Sequence, residues 1–207
     1  MVRFKNRHLL VEFLDPAHLS AFPTVPPSLQ PPALDEDGND DNGDDGGDGE
    51  DELAQIPDLP FMLPLDVAAK PLLGDGGASE VFKSVRSCVQ AVFGDEGWGR
   101  VASSFKVIYH SSLTTLTILR IARPHYRVIW AALTLCTNIN GVPVLPRVIA
   151  VSGTIKKLQS AAIVYHRKVT ATAIAGLLLE GAKGEADKER LAPKWELERE
   201  EMGRLED

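Results

Sequence analysis

Apolar positions along this chain change their period several times, and each change marks an element. Arg7 to Leu14 (RHLLVEFL) is a short apolar run that closes at Asp15-Pro16. It reads as a strand behind a basic arm, Val2 to Asn6. Helical spacing begins far downstream, with Val81, Phe82, Val85, Cys88, Val89, Val92 and Phe93 on one face and Lys83, Arg86 and Gln90 on the other. Ser79 is placed to cap that helix and Gly94 to stop it. Residues 95–99 (DEGWG) read as a loop, Arg100 to Tyr109 as a strand, His110 to Ser112 as a turn, and Leu113 to Ile121 as a second, strongly β-prone strand. Together they suggest a hairpin in which Phe105 and Tyr109 share a face. Pro124 suits a first helical position, Tyr126, Ile129, Trp130 and Leu133 form the face of that helix, and Asn140-Gly141 ends it. Val144 to Val151 is a fourth strand, where Pro146 is tolerable only near the start or on an edge. Ser152-Gly153-Thr154 then turns into a long helix with Ile155, Leu158, Ala162, Tyr165 and Val169 inward, running to or breaking before Glu180-Gly181. The order β-α-β-β-α-β plus an extra helix predicts an α+β, ferredoxin-like (RRM-like) sandwich: four antiparallel strands with two helices on one face.

Charge divides the chain in the same places. The formal net charge of the 207 residues is −7, yet residues 35–52 alone carry eleven carboxylates and no cation. Ten of the fourteen prolines fall among residues 16–71. So many like charges and so few apolar residues leave nothing to offset ordering entropy, and residues 15–78 read as a disordered, Pro-rich and acidic insertion. Its second half holds Phe61, Met62 and several leucines that could dock locally. Residues 183–207, with nine acids and six bases, read as a charged tail. What remains, residues 1–14 and 79–182, is the predicted domain, and it is +10 over 118 residues. A basic domain with acidic appendages has the electrostatic footprint of a polyanion binder.

The chemistry on offer is narrow. Cys88 and Cys136 are too few for a disulfide framework or a zinc site and sit in apolar helical patterns, as reduced core cysteines of an intracellular protein would. No secretory signal or membrane span is predicted. There is no P-loop, dinucleotide fingerprint or GxSxG. The acidic run lacks the ligand spacing of a calcium loop, and the five histidines show no metal spacing. No catalytic residue and no protein-bound metal is therefore expected. RRMs share the predicted order, but LTTLTILRI on the third strand offers no aromatic for a base to stack on. Cations at element ends remain: Arg3, Lys5 and Arg7 alternating on the arm; Arg120, Arg123 and Arg127 from the third strand into the second helix; Lys156 and Lys157 behind Ser152, Gly153 and Thr154. That last turn combines a helix N-terminus, a small glycine, two hydroxyls and two ammonium groups, as a phosphate seat does. Each cluster alone reads as solvated surface, and the turn alone as a helix cap. Together, in a +10 domain, they read as contacts to a nucleic-acid backbone.

Three stretches, MVRFKNRHLLVEF, ILRIARPHYRVIWAAL and VSGTIKKLQSAAIVYHRK, occur in this order. They resemble the small RRM-like α/β protein subunit of nuclear ribonuclease P and RNase MRP, a family shared by eukaryotes and archaea. The resemblance covers residues 1–14 and 79–170; the insertion departs from it. It implies a non-catalytic subunit that stabilises the catalytic RNA for 5′ maturation of precursor tRNA and for processing of precursor rRNA. It further implies Mg2+ at the RNA active site of the assembled enzyme, and as partners the catalytic RNA, a TIM-barrel protein subunit, other subunits and precursor tRNA. A nuclear and nucleolar location goes with it, as does RNA contact by the arm and the SGTIKK turn and protein contact by apolar residues of the strands and extra helix. Two alternatives stand beside it: a free-standing nucleic-acid-binding module, and an escort whose acidic run holds basic partners.

Overall fold

A computed structural model describes residues 5–16, 73, 76–179 and 182–205. The predicted insertion lies almost wholly outside the described residues, as does Arg3. Four strands form one antiparallel sheet: β1 (Asn6–Leu14), β2 (Lys106–His110), β3 (Thr117–Ala122) and β6 (Leu145–Ser152). Their order is β2-β3-β1-β6. That is the ferredoxin-like arrangement, with the first and third strands of the sheet central. β6 is an edge strand, and Pro146 is its second residue, where a missing N–H does least harm.

β1 is buried on both faces, and its alternation divides two cores. Leu9, Val11 and Phe13 join Leu119 and Ile121 under α1 (Gly77–Ala102) and α2 (Tyr126–Leu135), with Val81, Val85, Val89, Ile129 and Leu133 from the helices. Leu10 and Ile118 face the other way, onto Ile155, Leu158 and Ala162 of α3 (Ile155–Leu179). The chain that reads as a charged tail supplies the rest of this second layer. Ala182–Gly203 is a helix, α4, which packs on α3. Met202 enters the second core, and Leu191 and Trp195 pack with Ala173 and Leu177 in a third cluster. Both faces of the sheet are thus covered by helices.

Two buried polar networks fasten that second layer. Arg147 of β6 donates to Glu12 Oε2 of β1 at 2.6 Å and to the Tyr165 hydroxyl of α3, and that hydroxyl donates to the same carboxylate oxygen at 2.8 Å. Burial pushes the Glu12 carboxyl up, with the Arg147 guanidinium opposing; it pushes the Tyr165 hydroxyl up as well. In the second network Glu198 of α4 accepts from Ser111 Oγ and lies 3.0 Å from His166 Nε2 of α3, while Ser111 Oγ accepts from the Thr114 backbone N–H at 2.9 Å.

Several predicted boundaries move, each for a local reason. The first helix starts at Gly77, so Ser79 lies in its first turn and caps nothing. Gly94 (φ 70°) breaks the helix, but helical backbone resumes through 95–102, where a loop and a strand are predicted. The axis changes there, and Val92 and Phe93, predicted inward, are 43% and 40% exposed. β2 begins only at Lys106. A bulge between Val107 and Tyr109 reverses its side-chain alternation, so Phe105 packs in the first core and Tyr109 against the second. Residues 111–116 form the connection, and β3 starts at Thr117. Pro124 sits in a 3-10 turn, Arg123–His125, one step before α2. Asn140-Gly141 does not end that helix, which stops at Leu135. It is the tip of a small hairpin, β4 (Asn138–Ile139) with β5 (Val142–Pro143). Positive φ at both residues, 50° and 79°, is what a two-residue type I′ turn requires.

Candidate nucleic-acid interface

Strand direction gathers the predicted cations at one end of the sheet. β1 starts there, and β3 and β6 finish there. Asn6 pairs with Ala122, Arg7 with Ile121 and His8 with Arg120; on the other side His8 pairs with Ser152. The Arg123 backbone N–H donates to the Lys5 carbonyl at 2.9 Å, which pins the arm to the end of β3. From that end α2 departs with Arg127 in its first turn, the Arg127 guanidinium 5.8 Å from the Tyr126 ring centroid. α3 departs with Lys156 and Lys157 in its first turn. Lys5, Arg7, Arg120, Arg123, Arg127, Lys156 and Lys157 thus occupy one end of the fold, within reach of two helix N-termini.

Sequence reasoning missed Lys106. It begins β2 at the same end, directly across from Arg120, and is exposed. Cross-strand neighbours share a face and lie close, so two cations there repel. The Asn6 side-chain amide lies against Arg120; with its oxygen turned that way it would accept from Nε at 3.2 Å and Nη2 at 3.3 Å. No carboxylate among the described residues pairs with Lys5, Lys106, Arg120, Lys156 or Lys157. The alternation that hides Lys106 in the sequence is that of the preceding helix, read as strand. The hairpin register across a six-residue connection is what places it.

The SGTIKK turn divides its labour. Thr154 Oγ1 accepts from the Lys157 backbone N–H at 3.4 Å, and Ser152 Oγ from the Thr154 N–H at 3.3 Å. Thr154 therefore caps α3 and Ser152 fixes the turn ahead of it, so both hydroxyls already accept a backbone N–H, beside the two lysines and what lies across the turn. Gly153 supplies that. A Cβ built on it would stand 2.6 Å from Arg7 Nη1, so the absent side chain is what lets the Arg7 guanidinium lie against the turn. Arm and turn, two separate motifs in the sequence, form one surface.

Two buried carboxylates lie elsewhere in the described fold. The two buried carboxylates, Glu12 and Glu198, are held by Arg147 and Tyr165 and by Ser111 and His166. Neither is turned toward the basic end. Among the described residues no three His, Cys, Asp or Glu side chains stand close enough together to hold a metal ion. Burial pushes the Cys136 thiol up to about 12, away from nucleophilic use. No helix among the described residues is long and apolar enough to cross a membrane.

Comparison with known proteins points to one family. A fission yeast (Schizosaccharomyces pombe) protein named ribonuclease P/MRP protein subunit POP5 is 51% identical over 85 residues, 41% of this chain and 61% of that protein. Proteins named probable ribonuclease P/MRP protein subunit POP5 are 31% identical in Dictyostelium discoideum, over 107 residues, and 31% in Arabidopsis thaliana, over 99. Those matches cover 52% and 45% of this chain and 63% and 66% of the two relatives, so all three span less than two thirds of the relative's length. The model of the Rpp14/Pop5 family matches residues 7–163, which takes in all of the sheet but Asn6, α1, α2 and the start of α3, and the chain belongs to that family.

Proposed function

We propose that this chain is a protein subunit of a ribonuclease P or RNase MRP particle that does no chemistry itself and holds the catalytic RNA against the basic end of its sheet. The observation that carries this reading is the convergence of eight cations, Lys5, Arg7, Lys106, Arg120, Arg123, Arg127, Lys156 and Lys157, where three motifs distant in sequence meet. Like charges placed across a strand pair lower stability. A fold that keeps them gains when a polyanion sits between them. Family membership and the relatives' names supply the particle. In this reading Mg2+ belongs to the RNA, and this chain contributes counter-charge and a rigid platform for 5′ maturation of precursor tRNA and for precursor rRNA processing in the nucleus and nucleolus. A TIM-barrel subunit and the other proteins of the particle are its protein partners. Because the strands' apolar residues are internal on both faces, such partners meet other parts of the surface.

The test joins identity to geometry. Tagged protein is purified from cells and the co-eluting RNA sequenced; one or two structured RNAs are expected. Heterogeneous RNA would point to a free-standing module, and none to an escort. In vitro, Lys156→Ala with Lys157→Ala should lower the salt slope of RNA binding by roughly two units with no change in melting temperature. The loss should be similar for different RNA sequences, since phosphate contacts position and do not specify. Unchanged affinity and slope would refute the interface.

A further inference from the structure

We infer that in the RNA-free protein the acidic run of residues 35–52 docks on the basic end of the sheet, and that RNA binds by displacing it. The first half of this inference rests on charge and reach alone; the second rests on the RNA reading above.

Charge selects the occupant. Residues 35–52 hold eleven carboxylates, no cation and no apolar side chain, only Gly and Asn between the acids. No apolar contact competes for where the run settles. Stretched out, it presents roughly one negative charge per 5 Å, against one per about 3.4 Å along a nucleic-acid strand. The basic end is the matching surface: eight cations from β1, β2, β3, α2 and α3, of which Lys5, Lys106, Arg127, Lys156 and Lys157 are exposed. A run of this spacing is chemically a phosphate-backbone mimic.

Reach permits it. β1 leaves the basic end at Lys5 and finishes at Leu14, about 30 Å away at roughly 3.3 Å per residue. The chain re-enters the described fold at the same far end, where Gly77 packs against His110, the last residue of β2. Nineteen residues lie between Asp15 and Asp35, and twenty between Glu52 and Leu73. Each connection can span up to ~60 Å, twice the distance required. Tethering at both ends brings the carboxylates to an effective concentration in the millimolar range, roughly, at the cations. An anion held this way is displaced by ligands that engage many cations at once. A weakly held or short RNA loses the competition that a large structured RNA wins.

The experiment uses the full chain and a variant of equal length in which every Asp of 35–52 becomes Asn and every Glu becomes Gln. Amide NMR spectra are compared at about 50 mM and about 500 mM NaCl, where screening lengths differ severalfold. At low salt the signals of Lys106, Arg120, Gly153, Lys156 and Lys157 should differ between the two proteins and at high salt coincide. A synthetic peptide of residues 35–52, added to the variant, should move those same signals back. Coincident spectra at low salt would overturn the docking. Binding of an unmodified tRNA transcript is then measured by anisotropy. The variant should bind it on the order of three- to tenfold more tightly at low salt, with the gap closing as salt rises. Equal affinities, with the docking seen by NMR, would overturn the competition. If neither protein binds the transcript, the RNA reading of the surface fails while the spectra still decide the docking.

Discussion

Replacing Glu198 with Ala tests whether the last helix is structural. Glu198 is 8% exposed and joins α4 to two other elements, through Ser111 Oγ in the β2–β3 connection and His166 Nε2 on α3. His166 is fully buried, and its Nδ1 has no hydrogen-bond partner among the described residues. Losing the carboxylate would leave both its nitrogens unsatisfied and Ser111 without an acceptor. Each orphaned buried group costs about 1–3 kcal/mol, which puts the variant roughly 3–5 kcal/mol below the parent. For a domain of this size that lowers the melting temperature by ~10 °C. Glu198→Gln retains an acceptor and should lose less than half as much. Thermal and urea unfolding followed by circular dichroism give both values. A double-mutant cycle with Ser111→Ala should return a coupling of about 1–3 kcal/mol. RNA affinity at 25 °C should not change, because Ser111 follows the end of β2 farthest from Lys106. A loss below ~1 kcal/mol, or a coupling near zero, would show that α4 lies on the fold without belonging to it, and the argument that the sheet's second face is closed would fail with it.

Two further outcomes follow from single contacts. Burial holds the His110 imidazole neutral, its pKa lowered to about 4 from an ordinary 6.5 although Glu198 pulls the other way; the unfolded chain therefore takes up this proton first, so stability should be full above about pH 6.5, decline by up to roughly 3 kcal/mol as pH falls toward 4, and decline much less in His110→Gln, as urea midpoints across that range would show. Gly153→Val places side-chain atoms where the Arg7 guanidinium lies, 2.6 Å from the first of them, and because only the tip of a flexible side chain must move, the melting temperature should hold within a degree or so while RNA affinity falls severalfold and the salt slope drops by up to roughly one unit; an unchanged slope would remove Arg7 from the interface.

The sequence disclosed the sheet because its strands are either uniformly apolar, as Leu9 to Phe13 is, or bounded by strong turn residues. It disclosed the basic arm and the SGTIKK turn as separate features. Their union depends on the register that sets His8 against both Arg120 and Ser152, and on an arginine that fits only over a glycine. What it hid has physical causes. In α4 the buried positions Leu191, Trp195, Glu198 and Met202 follow helical spacing of 4, 3 and 4. One of the four is a carboxylate, Pro193 interrupts them, and charged residues fill the rest, so the stripe is buried in a segment that reads as solvated. Asn140-Gly141 is a strong hairpin signal, but flanking strands of two residues each leave no alternation to support it. The bulge in β2 leaves no trace in composition at all.

Closing both faces of the sheet changes where a ferredoxin-like fold can meet RNA. A sheet with one open face offers bases a platform for stacking, and that platform is where sequence is read. Here α3 and α4 occupy it, over Leu10, Ile118 and Tyr109. What stays open is the end of the sheet, where no aromatic side chain heads a strand and cations do: Lys106 at the start of β2, Arg120 near the finish of β3, Arg7 beside Gly153. Such an end reads no sequence through phosphate contacts. It can discriminate shapes, because its cations come from three strands and two helix starts and are fixed relative to one another by two cores. Inside the fold Arg147 is paired with Glu12, whereas the cations at this end face outward. On the function proposed above, RNA specificity would follow from the spacing of phosphates in a folded RNA; it should survive base changes that preserve that fold and be lost when the fold is melted.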